Sequence, residues 1–235
     1  MPKLHRKRSL LAKIESSYGT DPTPTGSSNY VEVVDLEIEP VASDEVEQET
    51  IRPYPGNYPV LLANTRVNLS FGVYMVGSGS AGTAPKYDPI LKACGLSAAT
   101  VSSTSVTYTP STLASQDSCT FFVNYDGVRH KVTGARGTFS ISCAVNEIPR
   151  INFEMQGIFS TITDTALPTV TKSLQPDPVL FKNGNTSSFS IFGFSAALQS
   201  WELDFANEVI YRELVGGTKE ALITDRRPSG TMVVE

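Results

Sequence analysis

Side chains suited to acid–base or nucleophilic chemistry are few in this sequence and are not grouped. Of its two histidines, His5 lies in a basic N-terminal stretch, and His130 lies on the apolar side of an alternating, strand-like segment. The sequence holds no nucleophile elbow, HExxH or CxxC motif, and its carboxylates do not accompany a candidate base. The sequence therefore predicts no enzyme activity, no metal site and no cofactor.

The cysteines and the one glycine-rich stretch also favour structural roles. Cys94, Cys119 and Cys143 are an odd number without close spacing, which indicates neither a disulfide framework nor a set of metal ligands. Residues 77–82 lack the Gly-Lys-Ser/Thr ending of a phosphate-binding loop, and no βαβ pattern surrounds them. We interpret this stretch as the lead-in to a short helix over Tyr87–Cys94, which Gly95 ends.

Carboxylates are concentrated in one run in the first quarter of the chain. Asp35, Glu37 and Glu39 alternate with apolar residues, and acids continue until the next cation, Arg52. The alternation predicts a strand with one acidic face, within residues 30–40. Such a run usually marks a solvated surface, and this one is dense enough to set a local negative potential.

The segment 66–76 has the clearest strand pattern in the chain. Its odd-numbered residues from 67 to 75 are apolar, whereas the opposite face includes Asn68 and Ser70. Antiparallel pairing with residues 30–40 would place Asn68 and Ser70 on the same surface as the three alternating carboxylates.

The connection between these two strands, residues 41–63, is predicted to be a long ordered loop. Three prolines in this loop oppose regular strand pairing. Long ordered loops are often functional. Its stiff backbone and its tyrosines, Tyr54 and Tyr58, would suit docking on a partner, because little conformational entropy is lost on binding.

Residues 119–159 are the most regular part of the chain and predict a four-strand antiparallel meander. Alternating apolar and polar residues are typical of strands that bury one face. Asp126-Gly127 suits a two-residue hairpin turn because both residues tolerate positive φ. With about ten strands and one helix, the sequence predicts a mainly β protein: an antiparallel β-sandwich or barrel-like fold with one flanking α-helix and extended N- and C-terminal segments.

The chain is predicted to hold an N-terminal arm and linker, residues 1–29, and a single β-sandwich domain, residues 30–235. The arm is basic, is expected to form a short helix over 9–17, and ends in a breaker-rich linker. Because this segment lacks strand alternation, we expect deletion of residues 1–28 to leave the domain folded. Towards the C-terminus we predict strands at 179–182 and 187–195, a hairpin over 198–214 that turns at Ala206-Asn207, and an extended segment over 222–234.

Composition and charge exclude several classes of protein. Hydrophobic residues make up 40% of the chain and charged residues 18%, as in globular proteins. A net charge of −5 argues against a general nucleic-acid binder, which needs a basic surface. The N-terminus lacks the apolar segment of a secretory signal, and no apolar run approaches the ~20 residues that span a bilayer. We therefore expect synthesis in the cytosol and no membrane partner.

Four stretches in order along the chain carry a family likeness: KIESSYGTDPTPTG (13–26), GSGSAGTAPKYDPILKACG (77–95), GARGTFSI (134–141) and ITDRRPSG (223–230). Together they resemble the major tail tube proteins of tailed bacteriophages with long, flexible, non-contractile tails. The resemblance implies a β-sandwich with one flanking helix, assembled as hexameric rings. These rings stack into a tube around the tape-measure protein, and the tube later conveys DNA. The inner-tube proteins of contractile tails and of type VI secretion share this fold.

The resemblance also implies partners and a location. The expected partners are other copies of the chain, the tape-measure protein, and the tail-terminator and tail-tip proteins. Double-stranded DNA would pass through without specific binding. The protein would be made in the host bacterial cytoplasm and would end in the tail of the virion. The basic residues before Lys13 match no part of the family pattern.

A conduit for DNA must not bind it, and phosphate binding rises with the number of lysines and arginines available. We therefore expect the lumen face to include Asp35, Glu37, Glu39, Asn68 and Ser70. The alternative is that these carboxylates face bulk solvent on the outside of the assembly.

Contacts between rings are expected from the 41–63 loop and from the C-terminal segment. The residues we assign to them are Arg52, Tyr54, Tyr58, Arg226 and Arg227.

Two other classes of function stay open. One is a different structural role, as a tail-terminator, baseplate-ring or capsid-decoration protein. The other is a carbohydrate-binding β-sandwich module, which would be monomeric and would carry an exposed aromatic platform. The single tryptophan, Trp201, lies instead on an apolar strand face.

Overall fold

The fold is built on a ten-stranded antiparallel sheet that surrounds one hydrophobic core. A computed structural model describes residues 4, 6–112, 114–172, 175–186 and 189–235, so His5 lies outside the described residues. The strands of this sheet are β1 (Arg8–Ile14), β2 (Tyr30–Val31), β3 (Val34–Glu47), β4 (Val60–Tyr74), β7 (Cys119–Tyr125), β8 (Val128–Ala144), β9 (Arg150–Phe159), β10 (Thr163–Asp164), β11 (Leu198–Asp204) and β14 (Ser229–Val234).

Two small hairpins and one helix complete the described elements. They are α1 (Asp88–Ala93), the pair β5 (Leu96–Val101) and β6 (Ser105–Pro110), and the pair β12 (Asn207–Glu213) and β13 (Lys219–Arg226). The predicted helix is thus confirmed, with Tyr87 and Cys94 as its caps and Gly95 beyond it at φ 79°. β5 is a strand that the sequence analysis missed. The predicted mainly β, antiparallel fold with one helix is confirmed.

The large sheet is strongly curled. Its strand order is β2-β1-β7-β8-β9-β4-β3, with β10 and β11 paired to β8, and β14 paired to β11. Rings from distant strands meet inside, since Phe71 of β4 lies edge-on to Phe121 of β7 with centroids 5.9 Å apart. The two ends of this strand order also approach each other, because the Arg8 guanidinium of β1, the strand next to β2, donates to the backbone oxygen of Leu36 in β3 at 2.8 Å. The sheet is therefore barrel-like.

Strict alternation on β4 places one row of side chains in this core. Val67, Leu69, Phe71 and Val73 are at most 3% exposed, as their positions predict. Phe71 stacks on Phe153 of the neighbouring β9 with ring centroids 5.4 Å apart. Each such side chain contributes about 1.5–3 kcal/mol to stability when fully buried. The expectation is wrong only at residue 75, which lies beyond the end of β4 and is 39% exposed.

The predicted four-strand meander has three strands. Residues 128–144 form one continuous strand, β8, and the pairing register shifts between Thr133 and Arg136. Gly134 at φ 60° allows this irregularity, and a Cβ there would lie 2.7 Å from Cζ of Tyr18. The predicted turn at Asp126-Gly127 is confirmed, with φ values of 22° and 94°.

The connection predicted as a loop over 41–63 is mostly a hairpin. β3 and β4 remain paired as far as Glu47 and Val60, so only residues 48–59 form the loop. The three prolines lie within those twelve residues and therefore do not interrupt the pairing. The hairpin projects past the sheet, because β9 pairs with β4 only from Arg66 onwards.

The short helix expected over 9–17 is wrong, because residues 8–14 form strand β1 in the large sheet. Leu10, Leu11 and Ala12 are consecutive and at most 1% exposed, so both faces of the strand are covered. Burial on both faces removes the period-two pattern by which a half-buried strand is recognised. The sheet gives no support to a domain boundary at residue 29.

The C-terminal third also differs from expectation. The hairpin predicted over 198–214 is wrong, because β11 pairs with β8 and β14, whereas β12 pairs with β13. The chain crosses from one sheet to the other at Ala206, where φ is 45°. The strands predicted at 179–182 and 187–195 are wrong within the described residues, which hold only the isolated bridges Asn183–Thr186 and Ile191–Phe194. Residues 187 and 188 lie outside the described residues.

A buried arginine joins the two ends of the chain. The guanidinium of Arg136 donates to the backbone oxygens of Gln116, Asp117 and Ala221 at 2.8, 3.2 and 2.7 Å, and it lies 4.6 Å from the ring centroid of Tyr18. The Tyr18 hydroxyl accepts a hydrogen bond from the Ala221 backbone N–H at 2.7 Å. Burial raises the pKa of Tyr18 to about 12, so this hydroxyl stays neutral.

Glu15, the residue that follows β1, is a buried carboxylate that links three separate parts of the chain. It is 8% exposed and accepts four hydrogen bonds. The donors are the backbone N–H groups of Gly19 and Gly134, both at 2.7 Å, and the hydroxyls of Ser118 and Thr120 at 2.6 and 2.5 Å. The N-terminal strand, the start of β7 and the irregularity in β8 are therefore held at one point.

We predict that Glu15→Ala lowers the free energy of unfolding by at least about 3 kcal/mol, because it leaves four donors without their acceptor in a dry environment. Equilibrium unfolding in urea measures the change. The exposed Glu32→Ala is the matched control and should change stability by less than about 0.5 kcal/mol. Equal unfolding midpoints for the two variants would show that the Glu15 cluster is not needed for stability.

Candidate functional site

The predicted acidic and polar strand faces do lie side by side. β3 and β4 pair in antiparallel register, with Glu37 opposite Ser70 and Glu39 opposite Asn68. β9 continues the same surface, which carries its Asn152, Glu154 and Gln156 in register with β4. We call this surface the polar sheet face and define it as Asp35, Glu37, Glu39, Asn68, Ser70, Asn152, Glu154 and Gln156.

Hydrogen bonds across three strands order part of this face. The Asn68 amide nitrogen donates to a carboxylate oxygen of Glu39 at 2.7 Å. The Gln156 amide nitrogen in turn donates to the Asn68 carbonyl oxygen at 3.2 Å. These hydrogen bonds hold the three side chains in defined positions. The last acceptor, the Glu39 carboxylate, is exposed to solvent.

Asp35 differs from the other two carboxylates of β3. Its backbone has a φ of 50°, at an irregularity in the pairing with β4, and its carboxylate forms an ion pair with Arg150 at 2.6 Å. The Arg150 side chain crosses over Gly72, where a Cβ would lie 2.2 Å from Nε of the arginine. Asp35 is therefore neutralised locally, and the negative charge of the face lies mainly with Glu37, Glu39 and Glu154.

An open groove of about 600 Å³ adjoins the polar sheet face. Strands β3, β4, β8 and β9 line it, together with Asn207 and Val209 of β12. Its polar lining consists of carboxylates, amides and hydroxyls, which can donate and accept hydrogen bonds. Within the described part of the chain, no three His, Cys, Asp or Glu side chains are placed to hold a metal ion.

Arg52, Tyr54 and Tyr58 lie together at the tip of the β3–β4 hairpin. The Arg52 guanidinium lies 5.3 Å from the ring centroid of Tyr58 and donates to the backbone oxygen of Asn57 at 3.1 Å. Tyr54 is 62% exposed, and Ile51 beside the cluster is fully exposed. The tip therefore presents aromatic and aliphatic side chains to solvent on an internally braced loop.

Arg226 and Arg227 have different environments. The Arg226 guanidinium donates to the backbone oxygen of Gly95 and to the Asn207 side chain, both at 2.9 Å, and lies 4.5 Å from the ring centroid of Phe205. Burial lowers its pKa, although it remains a cation at neutral pH. Arg227 is exposed and pairs with Asp225 at 2.9 Å. Only Arg227 of this pair has an exposed guanidinium, and its role at an interface stays a prediction.

The remaining candidates for chemistry lie apart from this face. His130 packs edge-on to the ring of Tyr125, with ring centroids 5.8 Å apart, and burial lowers its pKa. Cys94, Cys119 and Cys143 are free and buried, and burial raises the pKa of each thiol. These thiols are therefore neutral and inaccessible at physiological pH.

Two further observations bear on partners. Trp201 of β11 is partly buried, opposite Cys143 of β8 and Met232 of β14 in the sheet, so it does not form a raised aromatic platform. Among the described residues, no helix has the length and apolar character to cross a bilayer.

Sequence reasoning missed the contribution of β9 to the polar sheet face. The alternation of Asn152, Glu154 and Gln156 was visible, but the pattern does not say that β9 lies beside β4. Arg150 was missed for the same reason, since its partner Asp35 lies 115 residues away in the chain.

Comparison with known proteins gives a family match over nearly the whole chain. A family profile described as "Phage tail tube protein" matches residues 6–235. No curated protein matches this sequence. Among nine matching chains of solved structures is the anti-feeding prophage cap, determined by cryo-EM and described as a tube terminating cap. It is 12% identical, with a TM-score of 0.42, over 70% of this chain and 93% of its own. Because the profile spans all the sheets described above, the chain belongs to the phage tail tube protein family.

Proposed function

We propose that this chain forms the stacked hexameric rings of a long, non-contractile phage tail, assembled around a tape-measure protein and later open to DNA. Family membership makes the chain a structural component of the virion tail. The ring number, the tail type, and the partners at the tip and the terminator follow from the resemblance to long-tailed phages. The observation that carries the conduit role is the polar sheet face.

The polar sheet face suits the wall of a DNA conduit for an electrostatic reason. It exposes three carboxylates, Glu37, Glu39 and Glu154. The two arginines nearest to them, Arg66 and Arg150, form ion pairs with Asp44 and Asp35. DNA binds proteins mainly by replacing counterions with lysine and arginine side chains. A wall without available cations would let the phosphates pass without holding them.

The edges of the sheet suit ring formation. From β3 the strands run β4, β9, β8, β11 and β14, so β3 and β14 lie at opposite edges of this run. β14 has the sequence Ser-Gly-Thr-Met-Val-Val, which lacks the charges or prolines that natural edge strands use against pairing. Pairing of β14 with an edge strand of a neighbouring subunit would continue the sheet around a ring and cover this exposed edge.

Particle imaging of the purified protein tests the assembly itself. We expect stacked rings or tubes at high protein concentration. Closed single rings would favour a terminator, baseplate-ring or capsid-decoration protein. Folded monomers at every concentration would contradict the proposal and would leave a monomeric binding module as the better interpretation.

The hairpin tip is predicted to contact the next ring. Replacing residues 52–59 by a short Gly/Ser linker should abolish tubes, because it removes the braced Arg52–Tyr58 pair and Tyr54. The thermal midpoint should change little, since seven of these eight residues are exposed and none belongs to the core. Electron microscopy and a thermal melt are the two measurements. Tubes of normal length from this variant would exclude the tip from the ring contact.

The polar sheet face is predicted to line the lumen. Glu37→Lys combined with Glu39→Lys should leave tubes intact but slow DNA ejection by about tenfold or more, because every ring would then offer cations to phosphate. Asp35 is left unchanged because a lysine there would face Arg150. Ejection is timed in virions whose tails contain the variant.

The matched control for this charge reversal is Glu147→Lys combined with Asp164→Lys. Both residues are exposed and lie away from the polar sheet face, so the change in net charge is the same. Ejection at the normal rate from both double variants would place the β3 carboxylates on the outside of the tube.

A further inference from the structure

A tight turn exposes an aromatic side chain in the C-terminal third of the chain. Backbone hydrogen bonds link Ile191 and Phe194 in both directions, at 2.9 and 2.8 Å. The two residues between them, Phe192 and Gly193, have positive φ values of 49° and 81°. These values are those of a type I′ turn, which favours Asn, Asp or Gly and strains an aromatic residue at its first central position.

The turn holds this side chain in water at an energetic cost. Phe192 is fully exposed, at 103%, and Phe194 is 67% exposed. Strained backbone is retained where surrounding structure or function requires it, and clustered exposed apolar residues mark interaction surfaces. Phe192 contributes nothing to the monomer core that would offset the strain, which favours a contact with another molecule.

The turn is tethered to one particular end of the sheet. Phe181 exchanges backbone hydrogen bonds with Asn146 and Glu147, at 2.9 and 2.8 Å, in the turn between β8 and β9. On the other side, the Val145 N–H donates to the oxygen of Gln199 at 3.0 Å. Both ends of the segment that contains Phe192 are therefore anchored beside the β8–β9 turn.

The β3–β4 hairpin projects from the opposite end. β4 begins at Val60 in the hairpin and ends at Tyr74, which pairs with Arg150 just after the β8–β9 turn. Its 15 residues span roughly 45 Å at the usual rise per residue. The anchors of the Phe192 segment and the hairpin thus lie at the two ends of the long axis of β4.

The hairpin carries an apolar surface that matches the turn. Val46 and Leu61 lie directly opposite each other in the pairing, so they share one side of the two-stranded ribbon, and they are 53% and 56% exposed. The charges are also compatible. The hairpin is rich in carboxylates, whereas residues 181–197 contain one charged residue, Lys182, and no acid.

We propose that the Phe192 turn of one copy packs against the Val46–Leu61 side of the hairpin of a second copy in the adjacent ring. Two different surfaces at opposite ends of one subunit form a head-to-tail contact, which repeats without closing and so propagates along an axis. This inference rests on the proposed function and names the residues that would receive the hairpin.

Phe192→Asn is the variant that isolates the side chain. Asparagine is preferred at positive φ in a type I′ turn, so the backbone keeps its shape and the thermal midpoint should hold or rise. We expect the protein concentration needed for tubes to rise about tenfold or more, as for loss of a buried aromatic anchor. Val101→Asn, at an exposed position of the β5–β6 hairpin, is the control and should leave that concentration unchanged.

Two further variants locate the partner surface. Leu61→Asn should raise the protein concentration needed for tubes by a similar factor. Combining it with Phe192→Asn should raise that concentration little further, because the two changes remove the same contact. In assembled Phe192→Cys/Leu61→Cys protein, a short bis-maleimide should link subunits into a ladder, since the three native thiols are buried.

The outcomes separate this contact from the proposed function. Wild-type protein that forms neither rings nor tubes overturns both. Wild-type tubes, together with normal assembly of Phe192→Asn and no crosslinked ladder, overturn the contact alone. A third outcome overturns only the hairpin as the partner. In it, Phe192→Asn loses assembly, the effects of Phe192→Asn and Leu61→Asn add fully in the double variant, and no crosslinked ladder forms.

Discussion

The fold depends on satisfying a buried carboxylate at the place where three chain segments meet. Glu15 accepts hydrogen bonds from the turn that follows β1, from the start of β7 and from the irregular part of β8. A buried charge is costly unless donors surround it, so these segments can pack together only in the arrangement that supplies all four. That requirement fixes the register of β1 beside β7 and, through Gly134, the position at which β8 changes its pairing.

A curled sheet with its core on the inside leaves its other face free for a different task. On β4 the two faces are cleanly separated, since Val67, Leu69 and Phe71 are buried while Asn68 and Ser70 are not. Stability and surface chemistry therefore depend on different residues of the same strands. The polar sheet face can vary in charge without loss of the core, and the hairpin and the exposed turn lie outside both.

Local patterns predicted the elements whose determinants are local. The β4 alternation, the Asp126-Gly127 turn and the helix before Gly95 depend on neighbouring residues and were found. Strand β1 was missed because distant parts of the chain bury both of its faces, so its sequence does not alternate between apolar and polar residues. The polar sheet face was found in part: β3 and β4 are adjacent in sequence, whereas β9 joins them only through a pairing some 80 residues distant, as in Ser70 with Glu154.

The hydrogen bond between Tyr18 and Ala221 has a consequence for the synthesis of the subunit. The two residues are 203 positions apart, so the hydrogen bond between them closes one of the longest loops in the chain. Contacts of such long range form late and slow the folding of β proteins. The ring of Tyr18 and the guanidinium of Arg136 reach their final environment only after residue 221 has left the ribosome. A nascent chain therefore lacks the finished subunit, with its paired β11 and β14, until synthesis is nearly complete.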